Sequence, residues 1–167
     1  MRFHTRFSSA VAAAAIAALT FGMAAEPARV QELPAAKDTI FARKILMGAI
    51  DMNMDEIETM LAPGGKLDSA EGREHADAIS IMLMSFPHLF PPATNQWQPN
   101  VDRDPATDTF ASPDLWTHFA DFYKRATDAS KLAFAASHAQ REEEFRASIA
   151  QLRAACNGCH AAYQKTE

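Results

Sequence analysis

The sequence predicts an all-α protein: an antiparallel four-helix bundle with one long loop between its second and third helices. Four stretches place apolar residues at spacings of three and four, and no stretch alternates apolar with polar. Glycine or proline separates the stretches, and one of the breaks is long. Amphipathic helices of this length bury their stripes against one another, and a hydrophobic fraction of 48% supplies one core.

The chain begins with a segment of another kind. Arg2 and Arg6 precede the apolar run from Ala10 to Ala25, and the sequence turns polar at Glu26. This is the layout of a secretory signal peptide, with small residues at Gly22, Ala24 and Ala25 suited to cleavage. The expected division is a signal peptide over residues 1–25 and a bundle domain over residues 26–167, exported to the periplasm. The run is shorter than the roughly 20 apolar residues that span a bilayer, so no integral span is expected after processing. Losing Arg2 and Arg6 leaves the mature chain more acidic than the formal charge of -5 of the whole. Nucleic acid is thereby excluded as a partner.

The first helix is expected over Ala36 to Leu61, stopped by Pro63-Gly64-Gly65. Its stripe reads Ile40, Met47, Ile50, Met54, Ile57 and Leu61, with Arg43 on the same face. The second opens at Asp68-Ser69-Ala70-Glu71, turns Ala76, Ile79, Met82 and Leu83 inward, and ends before Pro87. Residues 86–112 hold five prolines and form the long connection, too rich in Phe and Trp to be a mere linker. The third opens with Ser112 at the cap and Pro113 in the first turn, and runs to about Ser137 with Leu115, Phe119, Phe122, Ala126, Ala129 and Ala133 inward. The fourth, about residues 140–165, carries Phe145, Ile149, Leu152, Cys156, Cys159 and Tyr163 on one stripe.

Cys156-Asn157-Gly158-Cys159-His160 is the C-x-x-C-H pattern of covalent haem attachment. On a helix the two cysteines are neighbours on one face, so their sulfurs reach the two vinyl groups on one side of a porphyrin. His160 follows Cys156 by four, which puts its imidazole on that face as an axial ligand to iron. A thioredoxin-like dithiol would sit beside a βαβ pattern, which this chain lacks, and a zinc site would need further ligands at suitable spacing. The chain has no other cysteine, so a disulfide framework is excluded. No nucleophile stands near a base, and no enzyme activity is expected.

The chain resembles the class II c-type cytochromes, the cytochrome c' family, from about Lys37 to Lys165. The resemblance rests on the haem motif near the C-terminus of the last helix, on Arg43 with Met47 in the first, on Phe86-Pro87-His88-Leu89-Phe90-Pro91, and on Ser112-Pro113-Asp114-Leu115-Trp116. It implies one covalent haem c held by Cys156 and Cys159, with His160 on the iron. Members are often dimers through their first two helices, which implies a possible homodimer. One departure is Gln164, four residues after the haem histidine, where many members have arginine.

Members divide by the far side of the iron: six-coordinate electron carriers with a methionine ligand, and five-coordinate forms that bind gases. The deciding residue lies four after the first-helix arginine, here Met47. The residues agree with that placement. A charge on an apolar stripe wants a buried partner, which a haem propionate would supply to Arg43, and this sets the macrocycle beside Met47. Thioether sulfur is a soft ligand that raises the iron's potential. The expected function is therefore a periplasmic monohaem carrier passing single electrons between redox partner proteins. Its alternative is a five-coordinate protein that binds or senses nitric oxide or carbon monoxide. Phe86, Phe90 and Trp116 are expected at the pocket, while Met54 reads as packing and His75, His88, His118 and His138 as surface or loop.

Overall fold

The structure is a computed structural model and describes residues 35–104 and 108–165. The expected signal peptide lies outside the described residues. Helix α1 spans Ala36–Leu61, the range expected of it. No side chain caps its start, but Asp38 puts a negative charge in the first turn, where the helix dipole favours one. Ala62 is extended before Pro63, and Gly64 takes φ 84°, the left-handed conformation that glycine reaches without a Cβ penalty. Helix α2 spans Ser69–Ser85. The Asp68 carboxylate caps it by accepting from the Ala70 and Glu71 amides at 2.9 and 3.2 Å.

The long connection is not featureless. It holds two 3₁₀ turns, Phe86–Leu89 and Pro92–Thr94, each with proline in its opening positions. Its far end is pinned to the end of the chain: the Ser112 amide donates to the Tyr163 carbonyl and the Lys165 amide to the Phe110 carbonyl, both at 2.8 Å.

The expected third helix is in fact two. Helix α3 is a single turn, Asp114–Thr117, and helix α4 runs Phe119–Ser137 after a break at His118 (φ -115°, ψ 37°). The turn opens one residue later than expected, with Pro113 at the cap and Asp114 first in the helix, and Ser112 stands just ahead, its Oγ accepting from the Asp114 amide at 3.2 Å. The Trp116 indole donates to the Phe90 carbonyl at 3.1 Å, tying this turn to the connection, and the axis breaks where that tether ends. Phe119 is consequently 37% exposed rather than inward, while Leu115 and Phe122 are buried. Helix α5 spans Glu142–Tyr163, with three glutamates in its first turn and Glu144 accepting from the Arg141 amide.

Helix α1 packs on α2, α2 on α4, and α4 on α5. Neighbours run antiparallel: Ser80 bonds Ser130 near mid-helix, while Phe86 meets Phe122 at the end. Tyr163 at the close of α5 likewise meets Asp121 at the start of α4. Alanines at positions 126, 129, 133 and 136 line the buried face of α4, so the flanking helices approach closely. One core is aliphatic, with Met54, Ile57, Ile79, Ala133, Ile149 and Leu152 at its centre. The other is aromatic, with Phe86, Phe90, Phe122 and Tyr163 around Leu115. No described helix is long and apolar enough to cross a membrane.

Candidate functional site

The fourth side of the bundle, between α1 and α5, is not closed along its length. At one end α5 is fastened to α1 by Arg153, whose Nε and second guanidinium nitrogen donate to the two Glu58 oxygens at 2.6 and 2.8 Å. Arg146 adds a bond to the Leu61 carbonyl at 3.2 Å. Toward the other end the helices part around a cavity of about 520 Å³, within the range of small-molecule and cofactor sites.

Its lining gathers most of the residues singled out in the sequence: Arg43 and Met47 from α1, Phe86 and Phe90 from the connection, and Cys156, Cys159 and His160 from α5. Trp116 is not among them. It stands behind Phe90, ring centroids 5.9 Å apart, and supports the wall rather than forming it. Met47 and both cysteines are half-buried rather than buried, because the stripe they share faces the cavity and not a neighbouring helix. Met54, expected as packing, is buried in the aliphatic core and reaches the lining as well. Among the histidines, His88, His118 and His138 are exposed as expected, but His75 is half-buried in α2, with Nδ1 2.8 Å from the Asn53 amide oxygen.

Arg43 is 4% exposed. Its guanidinium donates to Thr94 Oγ1 at 3.0 Å, to the Thr94 carbonyl at 3.4 Å, to the Leu89 carbonyl at 3.5 Å and to Thr109 Oγ1. It lies over the Phe90 ring at 4.5 Å. All four acceptors are uncharged, and among the described residues no carboxylate pairs with it. Burial pushes its pKa down to about 10. A buried cation with neutral partners at a cavity wall is what an anionic ligand group would complete. Lys44, the next residue, donates to the Asp108 carbonyl at 2.8 Å and joins the lining.

The cysteines are free thiols, and burial pushes Cys156 up and Cys159 up to about 11. Desolvation pulls the His160 imidazole down, with Asp51 opposing, which favours the neutral ring that binds a metal. Gly48 is also on the lining, and a Cβ built there meets no atom within 4 Å. Glycine inside a helix costs about 0.5–1 kcal/mol against alanine, so an empty place at the cavity wall marks room for a flat group to approach the backbone. Among the described residues, no three His, Cys, Asp or Glu gather to hold a bare metal ion. Two thiols on one face, a neutral imidazole, an apolar cavity and a buried cation fit a haem c with its carboxylates.

Sequence reasoning missed Thr94 and Thr109, which hold Arg43 from 51 and 66 residues away. It also missed Arg125 of α4 and Arg153 of α5, both on the lining. Arg125, one turn from Asp121, reads as a solvated face, and Arg153 meets Glu58 from 95 residues away, a pairing no local spacing marks.

The family model described as cytochrome C' matches residues 38–164. A search of curated proteins finds no match. Among solved structures, cytochrome c' from Thermochromatium tepidum is 24% identical, with TM-score 0.68 over 78% of this chain and 97% of that one. Cytochrome c prime from Shewanella frigidimarina is 22% identical, with TM-score 0.69 over 81% of this chain and 100% of that one. A nitric oxide complex of a mutant cytochrome c prime from Alcaligenes xylosoxidans is 17% identical, with TM-score 0.68 over 81% and 100%. With the match to the family model covering nearly all of the described bundle, and with the attachment motif set on its cavity, the chain belongs to the cytochrome c' family, whose members carry covalently bound haem c.

Proposed function

We propose that the protein is an exported, periplasmic haem c protein that binds small uncharged gases such as nitric oxide and carbon monoxide. The observation that carries this reading is the cavity itself, walled by Ile50, Met54, Ile79, Leu83, Phe122 and Leu152. Such walls exclude water and favour a small uncharged guest over a charged one. The family supports it, as does the relative solved with nitric oxide. When bound, the haem supplies an iron that changes oxidation state by one electron and takes axial ligands. The polypeptide holds it through Cys156 and Cys159, offers His160 as one ligand, and sets Arg43 for a propionate. Neither this reading nor the next involves a chemical transformation of substrate.

One observation favours the electron carrier as a second reading: Met47 lines the same cavity as His160, from the opposite helix. Methionine there would complete a His/Met pair and raise the potential. The protein would then exchange single electrons with redox partner proteins. The variant Met47→Leu separates the two, because it keeps the apolar volume and removes only the sulfur. Under the gas-binding reading the ferric wild type is high-spin, binds carbon monoxide rapidly once reduced, and keeps its spectrum on substitution. A low-spin wild type that turns high-spin, falls in potential and binds carbon monoxide faster on substitution would give the position to the carrier. Met54→Leu should be spectroscopically silent in both.

Two further parts of the proposal rest on other residues. Arg2, Arg6 and the apolar run support export, which N-terminal sequencing near Ala25 checks. Exposed Phe41, Ile45 and Met52 on α1, with Ile81 and Met84 on α2, support a homodimer, which sedimentation checks.

A further inference from the structure

The surface of α4 carries ion pairs at helical spacing, Lys124 and Lys131 sharing Asp128 and Arg125 taking Asp121, and the two groups are not alike. Lys124 pairs with Asp128 at 2.5 Å, with the lysine 74% exposed, and neither lines the cavity. Arg125 pairs with Asp121 at 2.6 Å through Nε, and it does line the cavity. Exposed pairs of this kind contribute little to stability, so stability does not distinguish them. What distinguishes the second is a third member from another helix. The Tyr163 hydroxyl donates to the same Asp121 Oδ2 at 2.6 Å. The Tyr163 ring is buried, stacked edge-on against Phe122 at 5.7 Å, with the Arg125 guanidinium 6.0 Å from its centre.

One carboxylate oxygen is thus held by the hydroxyl of a tyrosine from α5 whose ring is buried, and itself holds a guanidinium on α4. The Arg125 side chain is 43% exposed and also reaches the cavity wall. Its terminal nitrogen lies 3.9 Å from where a Cβ on Gly158 would stand, between the two cysteines of the attachment motif. We propose that Asp121, fixed by Tyr163, is a positioning residue that sets the Arg125 charge against the haem-attachment turn and so raises the reduction potential of the haem iron. Reduction adds one electron to the haem, and a positive charge beside the motif favours the more negative state. The inference rests on haem attachment alone and holds whether the iron takes five ligands or six.

Potentiometric titration of the exported holoprotein tests it, with the covalent chromophore and helix content confirming that each variant folds. Arg125→Gln should lower the potential by more than Lys124→Gln, which removes an equal charge one residue away. Asp121→Asn removes a negative charge, so as an independent charge it would raise the potential by the same amount with or without Arg125. As a positioning residue its effect depends on Arg125, and the effects of Asp121→Asn and Arg125→Gln fail to add in the double variant. Tyr163→Phe removes one hydroxyl, and its downward shift should disappear in the Arg125→Gln background. Equal shifts for Arg125→Gln and Lys124→Gln would overturn the proposal, as would strict additivity of both pairs of substitutions.

Discussion

The two ends of the bundle are made of different materials. Around Ile57, Ala76, Ala133 and Ile149, none of which lines the cavity, the core is aliphatic but for Phe145, alanine lets α4 sit close to its neighbours, and α5 is fastened to α1 by Arg153 and Glu58. Around Phe86, Phe90, Phe122 and Tyr163 it is aromatic, the rings stand 4.8–6.2 Å apart at steep angles, and α1 and α5 are parted. At one end small and branched side chains close the space; at the other, rings meeting edge to face hold a wall that flexible chains would collapse, and Ile50, Ile79, Leu83 and Leu152 complete the cavity's lining. One end is therefore built for stability and the other for keeping a cavity. Substitutions should separate along that line, those at the closed end changing stability and those at the open end changing the haem.

The largest effect belongs to the attachment motif. Replacing both Cys156 and Cys159 with alanine should abolish covalent attachment, so that acidified organic solvent strips the chromophore that it leaves on the wild type. Mass spectrometry of denatured protein reads this directly, and a wild type lacking the mass of one haem would contradict it. Next is the closed end. Ile57 is fully buried and does not line the cavity, so Ile57→Ala should cost about 2–5 kcal/mol in denaturant unfolding while leaving the visible spectrum unchanged. A spectral change comparable to that of an open-end variant would mean the two ends are not separable.

That partition was only half legible in the sequence. The closed end follows periodicity: Ile57, Ala76, Ala133 and Ile149 lie where spacings of three and four put them, and Pro63 with Gly64 stops α1 at the expected residue. The motif on α5 was equally plain, because two cysteines and a histidine at fixed spacing carry their own geometry. The open end escaped where position depends on the irregular connection. The break at His118 reflects the tether of Trp116 to Phe90, a contact between segments that local propensity does not encode, and it turned Phe119 outward. Thr94 and Thr109 sit in proline-rich chain with no period to mark them. Arg43 was placed on the buried stripe correctly, but the threonines that receive it belong to the fold alone.

Arg43 is where the ends meet in energetic terms, a charge buried for the sake of the cavity. Arg43→Met should cost about 1–3 kcal/mol by releasing the connection at Leu89, Thr94 and Thr109. Its pH dependence is more informative. Burial lowers the folded pKa from the ordinary guanidinium value to about 10, so between about 10 and that ordinary value the unfolded chain binds more protons. In that window the wild type should gain stability over Arg43→Met as pH rises. The gain should appear when the cysteines are replaced and no haem is attached. A propionate beside Arg43 would restore its pKa, so in the holoprotein the difference between wild type and variant should be flat. A gain of equal size in both forms would separate Arg43 from the haem.

The smallest effect is expected at Gly48, and its sign carries the information. Replacing an interior helix glycine with alanine normally stabilises by about 0.5–1 kcal/mol, through the lost freedom of the unfolded chain. Nothing within 4 Å opposes an added methyl at this position. In the chain lacking both cysteines, Gly48→Ala should therefore raise stability by that amount. In the holoprotein the space is contested, because Gly48 lines the cavity beside Met47 and a macrocycle reaching α1 would press on the methyl. There the gain should vanish or reverse, with a displaced absorption maximum. The same stabilisation in both forms would mean that the haem stops short of α1, and it would withdraw the support that proximity lends to Met47 as a ligand.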